Sequence, residues 1–236
     1  MNNYFMLGYD YNLLNKLGQK VPLYAPINGH LIVIGGSGSG KSTAVLYWLY
    51  KLKSNNIDLH IVDFKASHEF SGICEHFGEF EKSYEIINDF YQSFLNTPEG
   101  GNGTIQVLLI DEIAGLLTHY SMNKESKPKA DEIKNIMSSI LMLGRSRRCF
   151  LWLSMQRFSA SIFPNASGSA DNFHIIVGLG KLTVDGRKGL FAGEHFEGEE
   201  DLIFGQGRGI VWIDGQPLRG LIIPKVSKKK VQNLLK

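Results

Sequence analysis

The clearest chemistry in the chain sits in eight consecutive residues, Gly35-Gly36-Ser37-Gly38-Ser39-Gly40-Lys41-Ser42. They fit the pattern G-x-x-x-x-G-K-[ST], whose parts suit the capture of phosphate oxygens. Glycines let successive backbone N–H groups turn inward onto an anion. The helix N-terminus that follows adds partial positive charge at the same point. Lys41 is expected to reach the β- and γ-phosphates, and the Ser42 hydroxyl to ligate Mg²⁺. A Gly/Ser-rich surface loop is the plainer alternative. The apolar run Leu31-Ile32-Val33-Ile34 before the loop, and the Gly- and Pro-free segment from Thr43 to Leu49 after it, supply the strand–loop–helix context of a phosphate site. The expected ligands are ATP and Mg²⁺, held by Gly35, Gly36, Ser37, Gly38, Ser39, Gly40, Lys41, Ser42 and Thr43.

Other polar residues stand at the ends of apolar runs. The run 106–110 ends in Asp111-Glu112. Asp111 can hold Mg²⁺ through the metal's water shell, and Glu112 can orient and deprotonate an attacking water. The bland reading leaves Glu112 as a cap for the next helix. The run 149–154 ends in Ser154-Met155-Gln156-Arg157, where Gln156 is either a γ-phosphate sensor or an exposed loop residue. Gly144-Arg145-Ser146-Arg147-Arg148 closes a helical segment. Its arginines are either a solvated helix end facing the dipole or a source of an arginine finger for a neighbouring subunit. Asp63-Phe64-Lys65 ends a further apolar run, and its spacing gives it no sharp role.

These residues need a scaffold that delivers strand ends to one edge. Five short apolar runs, 31–35, 57–62, 106–110, 149–154 and 174–178, read as buried parallel strands. Helices are expected at 43–54, 83–95 and 130–143, the last with Ile133, Ile136, Ile140 and Leu143 on one face. The alternation predicts an α/β fold with a mostly parallel sheet flanked by helices and joined by right-handed crossovers. Residues 1–30 read as a β-rich lead-in, 97–103 as a turn cluster and 119–129 as a polar loop. The segment 201–223 reads as a terminal β-hairpin, and Lys228-Lys229-Lys230 as a solvated end. A single domain is expected, its main portion spanning 31–236.

With 236 residues, 43% of them hydrophobic, the chain can bury one substantial core. Its net charge of +2 does not itself select a nucleic-acid partner. Cys74 and Cys149 lack the paired spacing of a zinc site and suit a reducing, cytoplasmic setting. No apolar stretch approaches the roughly 18 residues that span a bilayer, and the start has no basic region typical of a signal peptide. A membrane role is therefore expected to depend on a partner chain or a further segment.

In order along the chain, these motifs resemble the motor domains of the FtsK/HerA superfamily, nearest to FtsK/SpoIIIE-type DNA translocases. The likeness runs from about residue 7 to 224. It rests on residues 29–42, Ile61-Val62-Asp63-Phe64-Lys65, Leu109-Ile110-Asp111-Glu112-Ile113-Ala114, the segment from Gly144 to Arg157, Asp171-Asn172-Phe173-His174-Ile175, Val184-Asp185-Gly186-Arg187 and Phe204-Gly205-Gln206-Gly207. The resemblance implies a RecA-like P-loop NTPase fold and a hexameric ring that hydrolyses ATP between subunits and pulls double-stranded DNA through its pore. It implies catalytic roles for Lys41, Glu112 and Gln156, and selects Arg145 as the arginine facing the next subunit's nucleotide. It also implies DNA contacts from Arg157, Lys181, Arg187 and Lys188, and transfer-apparatus or membrane proteins as further partners. The chain departs from the family pattern at Met155, Arg148 and Phe158. Its size resembles the compact motors of plasmids, integrative elements and phages. A protein-translocating secretion ATPase is the competing reading. A nucleotide switch with little turnover fits poorly, since it would not need Glu112.

Overall fold

A computed structural model of the chain describes residues 4–52, 56–164, 168–191 and 204–232. The described strands form a ten-stranded sheet. Its parallel half contains β3 (Leu31–Ile34), β4 (Ile57–Asp63), β5 (His76–Glu79), β6 (Ile105–Asp111), β7 (Cys149–Met155) and β8 (Ile175–Leu179), in the order β8-β3-β7-β6-β4-β5. Its antiparallel half contains β1 (Tyr4–Asp10), β2 (Pro22–Pro26), β9 (Arg208–Ile213) and β10 (Arg219–Ile222), and continues from β8 as β9-β10-β1-β2. All five expected strands are present to within a residue at each end. β3, β6, β7 and β8 are buried along their whole length, which is why each reads as an unbroken apolar run rather than an alternating one.

Two cores cover the sheet. On one face, α2 (Lys41–Leu52) inserts Trp48 beside Trp152, and Phe5 stacks on Trp152 with ring centroids 5.5 Å apart. Both indole N–H groups are satisfied by backbone, Trp48 Nε1 donating to Leu7 O and Trp152 Nε1 to Gly29 O. On the other face lie α3 (Ser83–Asn96), α4 (Ile113–Ser121) and α5 (Lys127–Arg147). The lead-in is β-rich as expected, with a short helix α1 (Tyr11–Leu17) between its strands. Asp10 fixes that corner, accepting from Leu13 N at 2.8 Å and from the Arg219 guanidinium of β10 at 2.7 Å.

Three expectations are corrected. The segment 119–129 is a loop only over 122–126, since α4 runs to Ser121 and α5 starts at Lys127. Leu116, Leu117 and Tyr120 carry the helical stripe into it, and Pro128 takes a first-turn position where its missing N–H is no loss. Lys129 is held over the rings of Tyr84 and Tyr120, 4.8 and 5.8 Å from their centroids. Leu143 is 53% exposed, because the buried stripe of α5 passes through Met137, Leu141 and Gly144 instead. The tail is also structured. α7 (Lys228–Gln232) buries Val231, while Lys228 donates to His68 O and Ser71 Oγ and Gln232 to Ser71 O. The hairpin is present as β9 and β10. Residues 201–203 of that segment, and 53–54 of the first expected helix, lie outside the described residues. α6 (Val184–Leu190) was not anticipated.

The return from α5 into β7 is tight. A Cβ on Gly144 would lie 2.1 Å from Cys149 O, while Arg148 makes the turn at φ +59°. Alanine in a helix interior ordinarily gains about 1 kcal/mol over glycine. At Gly144 the sign reverses: Gly144→Ala is expected to destabilise the fold by about 1–3 kcal/mol through overpacking. Thermal unfolding checks this, and a raised Tm would contradict the packing described.

Candidate nucleotide-binding site

The phosphate-loop geometry begins at the end of β3, where Gly35 N donates to Met155 O of the neighbouring strand. The chain then turns through 36–40 into α2, whose buried Ala44, Val45 and Trp48 anchor the loop to the core. Gly40 has φ +98°, and a Cβ there would meet Gly207 N at 2.8 Å. Gly207 N in turn donates to Ser39 O at 2.8 Å. The segment before β9 thus braces the loop from the antiparallel side. Lys41 Nζ donates to Gly35 O at 2.7 Å and to Gly36 O at 3.3 Å, which holds its charge at the loop mouth. Burial lowers its pKa, against the opposing pull of Glu112 and Asp111.

Strand register brings the acids to the same edge. Asp63 at the end of β4 pairs with Asp111 at the end of β6, and Asp111 with Ser154 of β7. Asp63 is fully buried; its Oδ2 accepts from Ser67 Oγ at 2.8 Å, and its Oδ1 has no partner among the described residues. Asp111 is pushed up to about 6, chiefly by burial and further by the carboxylates of Asp63 and Glu112. Asp111 lines one cleft with Ser42, and the buried Asp63 lies beside it on the next strand, a grouping of oxygen donors that suits a hard divalent cation. The residues present therefore fit Mg²⁺, with Ser42 and Asp111 as its holders and Asp63 behind them.

Glu112 adopts φ +57° and ψ +48°, left-handed backbone that costs a non-glycine residue of order 1 kcal/mol or more. Its own N–H is spent on Ser154 O. Its side chain makes no capping bond to α4, contrary to the bland reading. Instead Glu112 Oε2 accepts from Lys65 Nζ at 2.7 Å, with the carboxylate side chain 10% exposed and the lysine 45%. The strained backbone turns the acid out of the helix and into the cleft.

One cleft is lined by Ser37, Gly38, Gly40, Lys41, Ser42, Thr43, Asp111, Glu112 and Gln156 together. Gly35 and Gly36 line the adjoining cleft, and Ser39 supports the loop from beneath. Gln156 lies between the two clefts, since β7 sits between the P-loop strand β3 and the acidic strand β6. Arg157 and Lys181 line the adjoining cleft, while Arg187 and Lys188 lie on α6. Arg145 is elsewhere. It is exposed on the last turn of α5, beside His30 at the start of β3, at the opposite edge of the strands from its own P-loop. Arg147 is consumed internally, donating to Phe94 O, Leu95 O and Thr97 O and lying over the Phe94 ring. Arg148 occupies the left-handed C-cap and packs on Gly101. Lys65, Ser67, Glu69 and Gln206, which had no role from their spacing, also line this cleft. The only available signal was Lys65 following a strand-end Asp.

No protein-family model matches the chain, and no curated protein matches it. Solved structures do. The cytoplasmic domain of the Thermomonospora curvata type VII secretion ATPase EccC superposes with a TM-score of 0.72 at 18% identity, covering 99% of this chain and 31% of that one. EssC (ATPases 2 and 3) from Geobacillus thermodenitrificans gives 0.68 at 14% identity, over 98% and 48%. The pCW3 conjugation coupling protein TcpA with ATPγS gives 0.68 at 18%, over 99% and 71%. The chain thus spans about a third of the EccC chain and half of the EssC chain, and it shares the fold of all three, an α/β fold with a mostly parallel sheet flanked by helices, as the alternation of strands and helices predicted.

A pH dependence follows from Asp111. An acid whose pKa is raised on folding stabilises the fold below its unfolded value near 4, and that contribution is lost as pH rises through about 6. Without Mg²⁺, Asp111→Asn is therefore expected to be more stable than the parent at pH 7 by roughly 2–3 kcal/mol. The gap should close near pH 4. Paired thermal melts at the two pH values check it; equal gaps at both would contradict the assigned strain.

Proposed function

We propose that the chain is an ATP-hydrolysing motor that translocates double-stranded DNA as a ring of identical subunits. The observation that carries the reading is the convergence of Lys41, Ser42, Asp111, Glu112 and Gln156 on one cleft. Loop N–H groups and Lys41 bind the β- and γ-phosphates, and Gln156 contacts the γ-phosphate. Ser42 and Asp111 hold Mg²⁺, which when bound neutralises developing charge on the phosphates. Glu112 orients the attacking water and takes its proton. Lys65 keeps that carboxylate aimed, and must yield or shift as water takes its place.

Arg145 cannot serve the nucleotide of its own subunit from the far strand edge, so it serves a neighbour's. Met142 and Leu143, each about half exposed on the same helix, suit burial at such a contact. A hexamer is the expected ring. Arg157 and Lys181 share a cleft with Gln156, so a phosphate backbone held there adjoins the γ-phosphate sensor; Arg187 and Lys188 extend the charge along α6. Such contacts bind DNA without reading its sequence. Transfer of DNA by a plasmid, integrative element or phage suits the likeness to TcpA. The motor then works on the cytoplasmic side, with membrane or transfer-apparatus proteins as partners. A protein-translocating ATPase is favoured by one observation, a groove in which Phe173, Ile176, Leu190 and Trp212 lie beside Asp171, and by the likeness to EccC and EssC.

Hydrolysis by the purified chain should rise with linear double-stranded DNA and lose that stimulation as salt increases. Glu112→Gln should lower kcat about 10²–10⁴-fold. Hydrolysis indifferent to DNA at low salt would move the assignment to a protein substrate. Arg145→Ala should also be inactive, yet mixing it with Glu112→Gln should restore part of the rate, because hybrid interfaces regain both groups. A mixture as inactive as its components would refute action between subunits.

A further inference from the structure

Away from the nucleotide cleft, on the face of the sheet that packs on α3, β4 and β5 bring together three side chains to which the motor mechanism gives no task. Asp58 and His60 are two residues apart on β4 and so share a face. His76 opens β5 directly opposite His60 in the parallel register. His60 Nδ1 lies 3.6 Å and His76 Nε2 4.0 Å from Asp58 Oδ1, and the three ligand atoms all fall within 4.8 Å of one another.

The arrangement is unsatisfied as it stands. His60 is 3% exposed, and its buried Nδ1 has no hydrogen-bond partner among the described residues. A buried polar nitrogen left unpaired costs roughly 1–3 kcal/mol. The His60 and His76 rings stack nearly parallel, centroids 4.1 Å apart, and the Phe90 ring packs edge-on to His60. Burial keeps the His60 imidazole neutral, with a pKa lowered to about 4, and neutral imidazole is the form that ligates. His76 is half exposed and Asp58 about a third, so the cluster has an entry path and a ring free to swing.

We propose that Asp58, His60 and His76 form a binding site for a divalent cation of the zinc class. Two imidazole nitrogens and one carboxylate oxygen form a borderline donor set that suits Zn²⁺ better than Mg²⁺ or Ca²⁺, with water completing four-coordination. Modest rotation of the exposed His76 ring brings the donors to a common centre. The cation ties β5, four residues long and at the sheet edge, to β4. It thereby anchors the far end of the segment 64–75, which carries Lys65, Ser67 and Glu69 into the nucleotide cleft.

The test is zinc uptake by the untagged full chain carrying Cys74→Ser, which removes the half-buried thiol as a competing ligand. Millimolar Mg²⁺ in the buffer keeps the carboxylates of the nucleotide cleft engaged. Equilibrium dialysis should find one Zn²⁺ per chain, with a raised Tm. His76→Ala and Asp58→Asn, both at accessible positions that leave the core intact, should each weaken uptake at least about tenfold and abolish the Tm shift. Co²⁺ in place of Zn²⁺ should give the visible absorption of a four-coordinate nitrogen–oxygen site in the parent and lose it in both variants. Absence of uptake, or uptake unchanged in the two variants, would overturn the proposal. ATP hydrolysis plays no part in the readout, so failure here would leave the motor reading untouched.

Discussion

Parallel register forces carboxylates together at the carboxyl edge of this sheet, and much of the surrounding structure answers that concentration of charge. Asp63 and Asp111 are direct neighbours on adjacent strands, and Glu112 follows at once. All three are at least nine-tenths buried. Buried like charges are tolerated only when counter-charges or hydrogen bonds meet them. Lys65 meets Glu112, Ser67 meets one oxygen of Asp63, and Lys41 stands across the cleft. What remains is an excess of negative charge beside a loop built for phosphate, a balance that a divalent cation and a nucleotide complete together.

The scaffold explains why these groups hold their places. α2 is locked to the sheet by Trp48, which spans from Trp152 to the carbonyl of Leu7 in the lead-in strand. The antiparallel half presses Gly207 onto the loop through Ser39. On the other side, α7 docks on 68–71 and steadies the segment that carries Lys65. Elements distant in sequence therefore converge on the two lysines. A change in the lead-in or the tail reaches the phosphate cleft through packing rather than contact.

Local patterns were legible and long-range partners were not. The phosphate loop, the five strands and the acidic strand end could be read directly, because a buried parallel strand leaves an unbroken apolar run and the glycine spacing is specific. Lys65 could not be given a role, since its partner Glu112 lies 47 residues away and only the β4–β6 register joins them. The helical ends of 119–129 were hidden by its lysines, one of which, Lys129, covers aromatic rings. Leu143 was misplaced because the stripe of Ile133, Ile136 and Ile140, buried as expected, continues through Leu141 and Gly144. The three arginines looked equivalent in sequence; only the fold separates Arg147, bound to the end of α3, and Arg148, spent on a left-handed turn, from the exposed Arg145.

The central claim is that this carboxyl-edge cleft binds Mg²⁺ and the phosphates of ATP through Lys41. Its most direct test is equilibrium binding of a fluorescent ATP analogue to the chain and to Lys41→Ala, with Mg²⁺ and with chelator. The parent is expected to bind saturably, more tightly with Mg²⁺, and the variant to lose most of the affinity. Equal binding by the two proteins, indifferent to Mg²⁺, would contradict it.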